Sequence, residues 1–228
     1  MRPGIARLFP RHCLPVLALS FLGPPAFAQT PSTAPLTAHQ LALRVDSHYN
    51  HLHSLRAGFT QSYQGLGMSR TESGTLLLRK PGRMRWDYSS PAGKLFLLDG
   101  KYAWSYTPGD PEVRRVAVGN LDDLRTPLRF LLGHTQLERE VEHLRSAAAS
   151  NGDYTLAGQP KGQQRSIRLL TLTVTPQGVI AGIQIDQTDG SITRFTFTGE
   201  VPDAPAPSAD FRFTPPPGVP IVNEQSPE

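Results

Sequence analysis

Arg83-Met84-Arg85-Trp86-Asp87-Tyr88 alternates without a break, so that Met84, Trp86 and Tyr88 share one face of an extended chain and Arg83, Arg85 and Asp87 share the other. Period-two alternation of large apolar with charged residues is the mark of a half-buried strand, oily on one side and wet on the other. The same period recurs outward from this stretch. Tyr102, Trp104 and Tyr106 alternate with Ala103 and Ser105, and Ile183 and Ile185 alternate with Gln184 and Asp186.

Turn signals cut this pattern into an antiparallel meander. Lys80-Pro81-Gly82-Arg83, Ser90-Pro91-Ala92-Gly93 and Asp99-Gly100-Lys101 each hold the Gly or Pro that a tight turn demands. They predict strands over 57–64, 74–79, 83–88, 94–99, 102–106 and 113–118. Further strands are predicted over 153–157, 166–175, 179–187 and 191–199, with a short one at 210–213. Gly65-Leu66-Gly67 lacks the third Gly and the helix of a nucleotide loop and reads as a hairpin tip.

Two helical segments stand out. Thr37 and Gln40 have the spacing of a capping box, and Leu41, Val45, Tyr49 and Leu52 form one apolar stripe, which predicts an amphipathic helix over about 38–54. Near mid-chain, Thr126 is a cap, Pro127 suits the first helical position, Leu128 to Leu132 form a short body and Gly133 closes it. The charged run 136–144 continues as a second turn or helix. About ten strands in one domain curl strongly if they twist normally. The expected fold is mainly β with α: an unclosed antiparallel β half-barrel covered by a helical lid.

The ends bound the compartment. Arg2, Arg7 and Arg11 precede a mostly apolar run, and Ala26-Phe27-Ala28 supplies a small-x-small cleavage site, so residues 1–28 read as a secretory signal peptide. Residues 29–35 are a Pro/Thr/Ser tether, and 36–228 form a single domain with a Pro-rich C-terminal tail. Lys and Arg outnumber Asp and Glu by 23 to 19, but three of those arginines leave with the signal, and the mature chain is nearly neutral. A near-neutral domain lacks the basic field that a nucleic-acid partner requires. The one cysteine, Cys13, lies in the signal behind Arg11-His12, which leaves the mature chain without disulfides, thiolate metal ligands or a lipidation site. The mature protein is expected to be exported, unlipidated, soluble and monomeric.

Catalytic chemistry is hard to find. No Gly-x-Ser-x-Gly elbow occurs, and Asp122-Asp123 and the acids of 138–142 sit in or beside helical segments, where acids are ordinary. His48, His51 and His53 lack a carboxylate on the same stripe and read as solvated histidines rather than a metal site. Arg79, Arg83, Arg85, Arg114 and Arg115 form either a solvated outer face or a docking surface for an acidic partner. No enzyme, cofactor or metal is expected.

A curled sheet lined by Met84, Trp86, Tyr88, Trp104, Ile183 and Ile185 needs something to fill it. That filling is either the protein's own core or a guest under Leu128, Leu131 and Leu132 of the mid-chain helix. A hydrocarbon chain is the guest such a wall suits, since its burial gains roughly 0.8 kcal/mol per methylene and needs no polar partner.

The order of elements and several strings resemble the periplasmic outer-membrane lipoprotein carrier protein family. The strings are Phe59-Thr60-Gln61, the run from Leu78 through Arg79-Lys80-Pro81-Gly82 to Trp86-Asp87-Tyr88, Pro91, Asp99-Gly100-Lys101, Trp104-Ser105-Tyr106, Thr126-Pro127 and the run from Phe211 to Gly218-Val219. The resemblance covers nearly the whole mature chain. It implies a carrier, or chaperone, that binds lipoprotein acyl chains released by an inner-membrane ABC transporter and delivers them to an outer-membrane lipoprotein receptor, without a cofactor. The alternative is a lipid- or lipoprotein-binding sensory or receptor module of the same fold. The missing lipidation cysteine favours the soluble carrier over the receptor. The resemblance implies a lid held by a basic residue that falls on Lys80, where the better-studied relatives have Arg, so that either lid closure is weaker here or Arg79 shares the task. Met84 replaces a usual Phe of the lining, Trp86 matches, and Leu131 falls on a cavity-facing lid position.

Overall fold

The computed structural model describes residues 35–118 and 135–224. Thr37 opens helix α1 (Ala38–His51), and its capping box forms as expected, with the Gln40 amide donating to the Thr37 hydroxyl and the Thr37 amide to the Gln40 side chain. The apolar stripe buries Leu41, Ala42, Val45 and Tyr49. Leu52, extended in backbone, ends the helix.

All described strands join one sheet. They are β1 (Ser54–Gly65), β2 (Met68–Arg79), β3 (Arg83–Ser90), β4 (Ala92–Leu98), β5 (Tyr102–Tyr106), β6 (Val113–Ala117), β7 (Val141–Ala148), β8 (Tyr154–Pro160), β9 (Ile167–Val174), β10 (Ile180–Gln187), β11 (Ile192–Pro202) and β12 (Ile221–Glu224). Their order is β12-β6-β5-β4-β3-β2-β1-β11-β10-β9-β8-β7. Two meanders therefore lie side by side, joined along the β1–β11 seam. Every ladder is antiparallel except that of β12 with β6. Among the described residues β7 and β12 are edges that do not meet, so the sheet is unclosed, as expected for a half-barrel.

Four local expectations change. The run 136–144 holds a single helical turn, α2 (Leu137–Glu140), and then becomes strand β7. A bulge between Glu142 and Arg145, with His143 at φ 55°, breaks the alternation that would have shown this strand in the sequence. Residues 208–211 are a 3-10 turn that buries Phe211, where a strand over 210–213 was expected. Strand β2 starts at Met68 instead of 74, because its outer half is polar on both faces. Strand β12 shows no alternation signal and forms by pairing with β6. The mid-chain helix of Leu128, Leu131 and Leu132, the signal peptide and most of the tether lie outside the described residues.

The sheet has two covered faces. Helix α1 packs on the inner one. The chain after β11 crosses the outer one, and its Phe211 joins Leu77, Leu95, Leu97, Trp104 and Val113 in a second small core. Arginines hold that crossing by donating to its backbone carbonyls: Arg56 to Pro205, Arg79 to Ala206, and Arg85 to Asp210 and Arg212. Arg83 reaches the Ser208 hydroxyl. This part of the arginine group is therefore a clamp on the chain's own C-terminal run, and neither a bare solvated face nor a free docking surface.

Candidate functional site: the inner apolar face

Register decides which side chains share the inner face. Leu76 pairs with Trp86, Trp86 with Phe96 and Phe96 with Ser105, one row across β2 to β5. Leu78, Met84, Leu98 and Ala103 form the next row. Across the seam, Phe59 pairs with Phe197 and Gln61 with Phe195, and Phe195 continues to Ile183 and Leu172. All the large apolar residues in these rows except Phe96 and Phe197, which pack against it, belong to the core cluster that α1 joins.

Aromatic rings pave the middle of this face. Trp86 sits edge-on to Phe59 with centroids 4.6 Å apart, and Phe59 meets Tyr88 at 5.0 Å. Phe195 lies 5.5 Å from Trp86 and stacks on Phe197 at 6.3 Å. The indole N–H of Trp86 donates to the Met84 sulfur at 2.8 Å, which leaves the ring without any demand on a guest. Met84, Trp86, Tyr88, Ile183 and Ile185 are thus brought together as the sequence suggested.

Trp104 is not among them, and the expectation for it is corrected. It pairs with Leu97, which pairs with Arg85, which pairs with Leu77, so the whole row points outward. The Tyr102-Trp104-Tyr106 stripe is oily because the C-terminal run covers it: Phe213 packs on both Trp104 and Tyr106. Alternation reveals that a face is buried but not which of two faces it is.

Lys80 and Arg79 also part company. The Lys80 ammonium donates to the Tyr49 carbonyl at the C-terminal end of α1, at 2.6 Å, and burial pulls its pKa below the ordinary lysine value. Arg79 faces the other way, bonded to Ala206 with its guanidinium over the Phe211 ring. The expectation that Arg79 shares a task with Lys80 is not met, because Arg79 ends β2 on the outer face while Lys80, the first residue of the turn, reaches the inner one.

Further polar contacts fasten α1. Tyr49 donates its hydroxyl to Glu200 and accepts the Ile180 amide, and His48 meets the other Glu200 oxygen at 2.6 Å. Burial, then the Glu200 charge, drives the Tyr49 phenol far above its usual pKa. His48 is therefore a partnered, half-buried residue and not a solvated one. Asn50 exchanges two hydrogen bonds with the Thr135 backbone, and Asp46 accepts from the Leu137 amide. Beneath the helix, Tyr49, Leu55, Ala57, Leu76, Ile180, Phe197 and Glu200 line a small, partly open pocket of about 10 Å³, room for one water at most. This end of the inner face is closed by α1 itself.

The sequence reading missed Phe59, Phe195 and Phe197, although Phe195-Thr196-Phe197 carries the alternation plainly. It also missed Glu200, Glu72 and Lys94, whose roles depend on partners far away in the chain. Among the described residues no cluster of His, Cys, Asp and Glu is arranged to hold a metal ion.

An unclosed, mainly antiparallel sheet whose apolar inner face is covered by a polar-fastened helix defines a class of binding protein. Comparison with known proteins narrows the class. The family model described as outer membrane lipoprotein carrier protein LolA matches residues 50–214. An outer-membrane lipoprotein carrier protein from Chromobacterium violaceum is 31% identical over 171 residues, covering 75% of this chain and 81% of its own. One from Nitrosospira multiformis is 27% identical over 175 residues, covering 75% and 83%. An uncharacterized conserved protein of Thermus thermophilus has the same fold, with a TM-score of 0.53 at 11% identity over 82% of this chain and 99% of its own. The chain belongs to the outer-membrane lipoprotein carrier protein family, whose members are non-enzymatic chaperones.

Proposed function

We propose that this protein is a periplasmic carrier that takes the acyl chains of lipoproteins from an inner-membrane ABC transporter and delivers them to an outer-membrane receptor. The observation that carries the reading is the paved inner face: Phe59, Met84, Trp86, Tyr88, Ile183, Ile185, Phe195 and Phe197 present hydrocarbon and ring faces with few polar demands. Family membership supports it, since the relatives are named for this task. Leu128, Leu131 and Leu132, expected to complete the lining, lie outside the described residues. Lys80 serves as the gate: its ammonium's bond to the end of α1 helps hold the cover shut, and a single ammonium gives less directional grip than the planar fork of an arginine.

The two tryptophans provide the test, because one lies on each face. In a Trp104→Phe variant, a triacylated peptide with brominated acyl chains should quench Trp86 by contact. In a Trp86→Phe variant the same ligand should leave Trp104 emission unchanged. Quenching of Trp104 but not Trp86 would place the cargo on the wrong face and end this reading.

A further inference from the structure

The inner face is not apolar to its end. Along β1 the inward positions run Leu55, Ala57, Phe59, Gln61, Tyr63, and their β2 partners run Leu78, Leu76, Gly74, Glu72, Arg70. Two residues of a strand span about 7 Å, so the wall turns from aromatic to charged within the width of one ring.

The charged patch is built. Glu72 is buried, at 7% exposure, and both its carboxylate oxygens accept from the Lys94 ammonium at 2.7 Å. The ammonium also lies 4.4 Å from the Tyr88 ring centroid, over the ring face. Tyr88 donates its hydroxyl to Gln61 at 3.1 Å. Gly74 makes room for the group, since a methyl there would strike the Asp87 carbonyl, and its absence lets β3 carry Tyr88 tight against Phe59.

A buried ion pair is a poor way to stabilise a fold: removing both charges from water costs several kcal/mol, and an apolar pair of similar size does as well or better. Stability alone therefore gives no reason for one on the wall of an apolar site. Recognition does. A hydrocarbon chain attached to a polypeptide ends in ester or amide groups, which must find partners once out of water. Glu72 takes two of the three Lys94 hydrogens, and the third lies against a ring face that a carbonyl oxygen can replace. Among the described residues, nothing accepts from the Gln61 side-chain nitrogen, which is a second donor. Glu72 can accept an amide N–H.

We propose that Gln61, Glu72 and Lys94 form the head-group end of the acyl-binding face. They take the ester and amide groups that join the chains to a polypeptide, with the chains running from there past Tyr88 and Phe59 toward Trp86 and Met84. The proposal rests on the carrier reading and adds to it a direction for the cargo and a basis for distinguishing an acylated polypeptide from bare hydrocarbon.

The test measures two ligands on the mature protein: a triacylated cysteinyl peptide, and diphenylhexatriene as an apolar probe without a head group. The double variant Glu72→Gln/Lys94→Met should weaken the lipopeptide about tenfold, the scale of one polar contact, and hold diphenylhexatriene within about twofold. Gln61→Leu, which leaves the ion pair intact, should show the same selective loss to a smaller degree, and Lys94→Arg should retain lipopeptide binding. Undiminished lipopeptide binding in the double variant, or an equal loss for both ligands, overturns the head-group site while leaving the carrier reading standing. Wild-type protein that binds neither ligand removes the carrier reading, and the site with it.

Discussion

Replacing Phe211 by alanine separates the two faces of the sheet energetically. The ring is 3% exposed and fills the gap above Leu77, Leu95, Leu97, Trp104 and Val113, with the Arg79 guanidinium 5.9 Å from its centroid. A buried Phe→Ala change costs about 3–5 kcal/mol, more where the surroundings cannot collapse. Here the floor is a hydrogen-bonded sheet and the roof is pinned by Arg79 and Arg85, so collapse is limited. Water can enter from the side, however, and about 3–4 kcal/mol is the expected loss. For a domain of this length that lowers Tm by about 10 °C. Urea unfolding of the Trp86→Phe background gives the free energy directly, and Trp104 emission, now 8% exposed, should shift to the red as its cover loosens. A loss below about 1 kcal/mol with unchanged Trp104 emission would mean that the C-terminal run does not cover the outer face in solution. The outward assignment of Trp104 would then fall.

Two further outcomes follow from local chemistry. Leu66 stands at the tip of the β1–β2 hairpin with φ 51° and 73% exposure, followed by Gly67 at φ 74°, so the turn asks for Asn-Gly and receives Leu-Gly. Leu66→Asn should raise stability by about 0.5–1 kcal/mol in urea unfolding, and a loss would show that the tip is held by contacts outside the turn. Tyr88 has its pKa pushed up to about 12, mainly by burial and then by the Glu72 charge. The fold keeps this phenol neutral while the unfolded chain ionises near pH 10, so its contribution is full below pH 10 and is lost as pH rises through 12. Wild-type stability should therefore fall more steeply over that window than that of Tyr88→Phe, and parallel curves would refute the burial.

The fold was legible because its strands are half-buried, and half-burial writes itself as alternation. Met84, Trp86 and Tyr88 could be read directly, as could Ile183 and Ile185. Most of what the sequence hid depends on a partner distant in the chain. The outward row of Leu77, Leu97 and Trp104 looks like a cavity lining until Phe211 arrives to cover it. Lys80 finds its acceptor on Tyr49, 31 residues away, and Glu72 finds Lys94 two strands across. Strand β7 was obscured locally, by the bulge at His143.

The small space beneath α1 bears on how cargo enters, because a helix that fills the face must be exchanged for whatever binds there. Its buried Leu41, Val45 and Tyr49 contribute about 1.5–3 kcal/mol each, and its peripheral hydrogen bonds to Lys80, Glu200 and Thr135 add about 1 kcal/mol apiece. A chain of about fifteen methylenes gains roughly 12 kcal/mol on burial, which is the same order. On the carrier reading proposed above, helix and hydrocarbon are near-equal competitors for one surface. Near-equality is what reversible transfer needs, since a partner that favours either state by a few kcal/mol can then drive loading or release. A face that bound hydrocarbon much more strongly than its own helix would load and never let go.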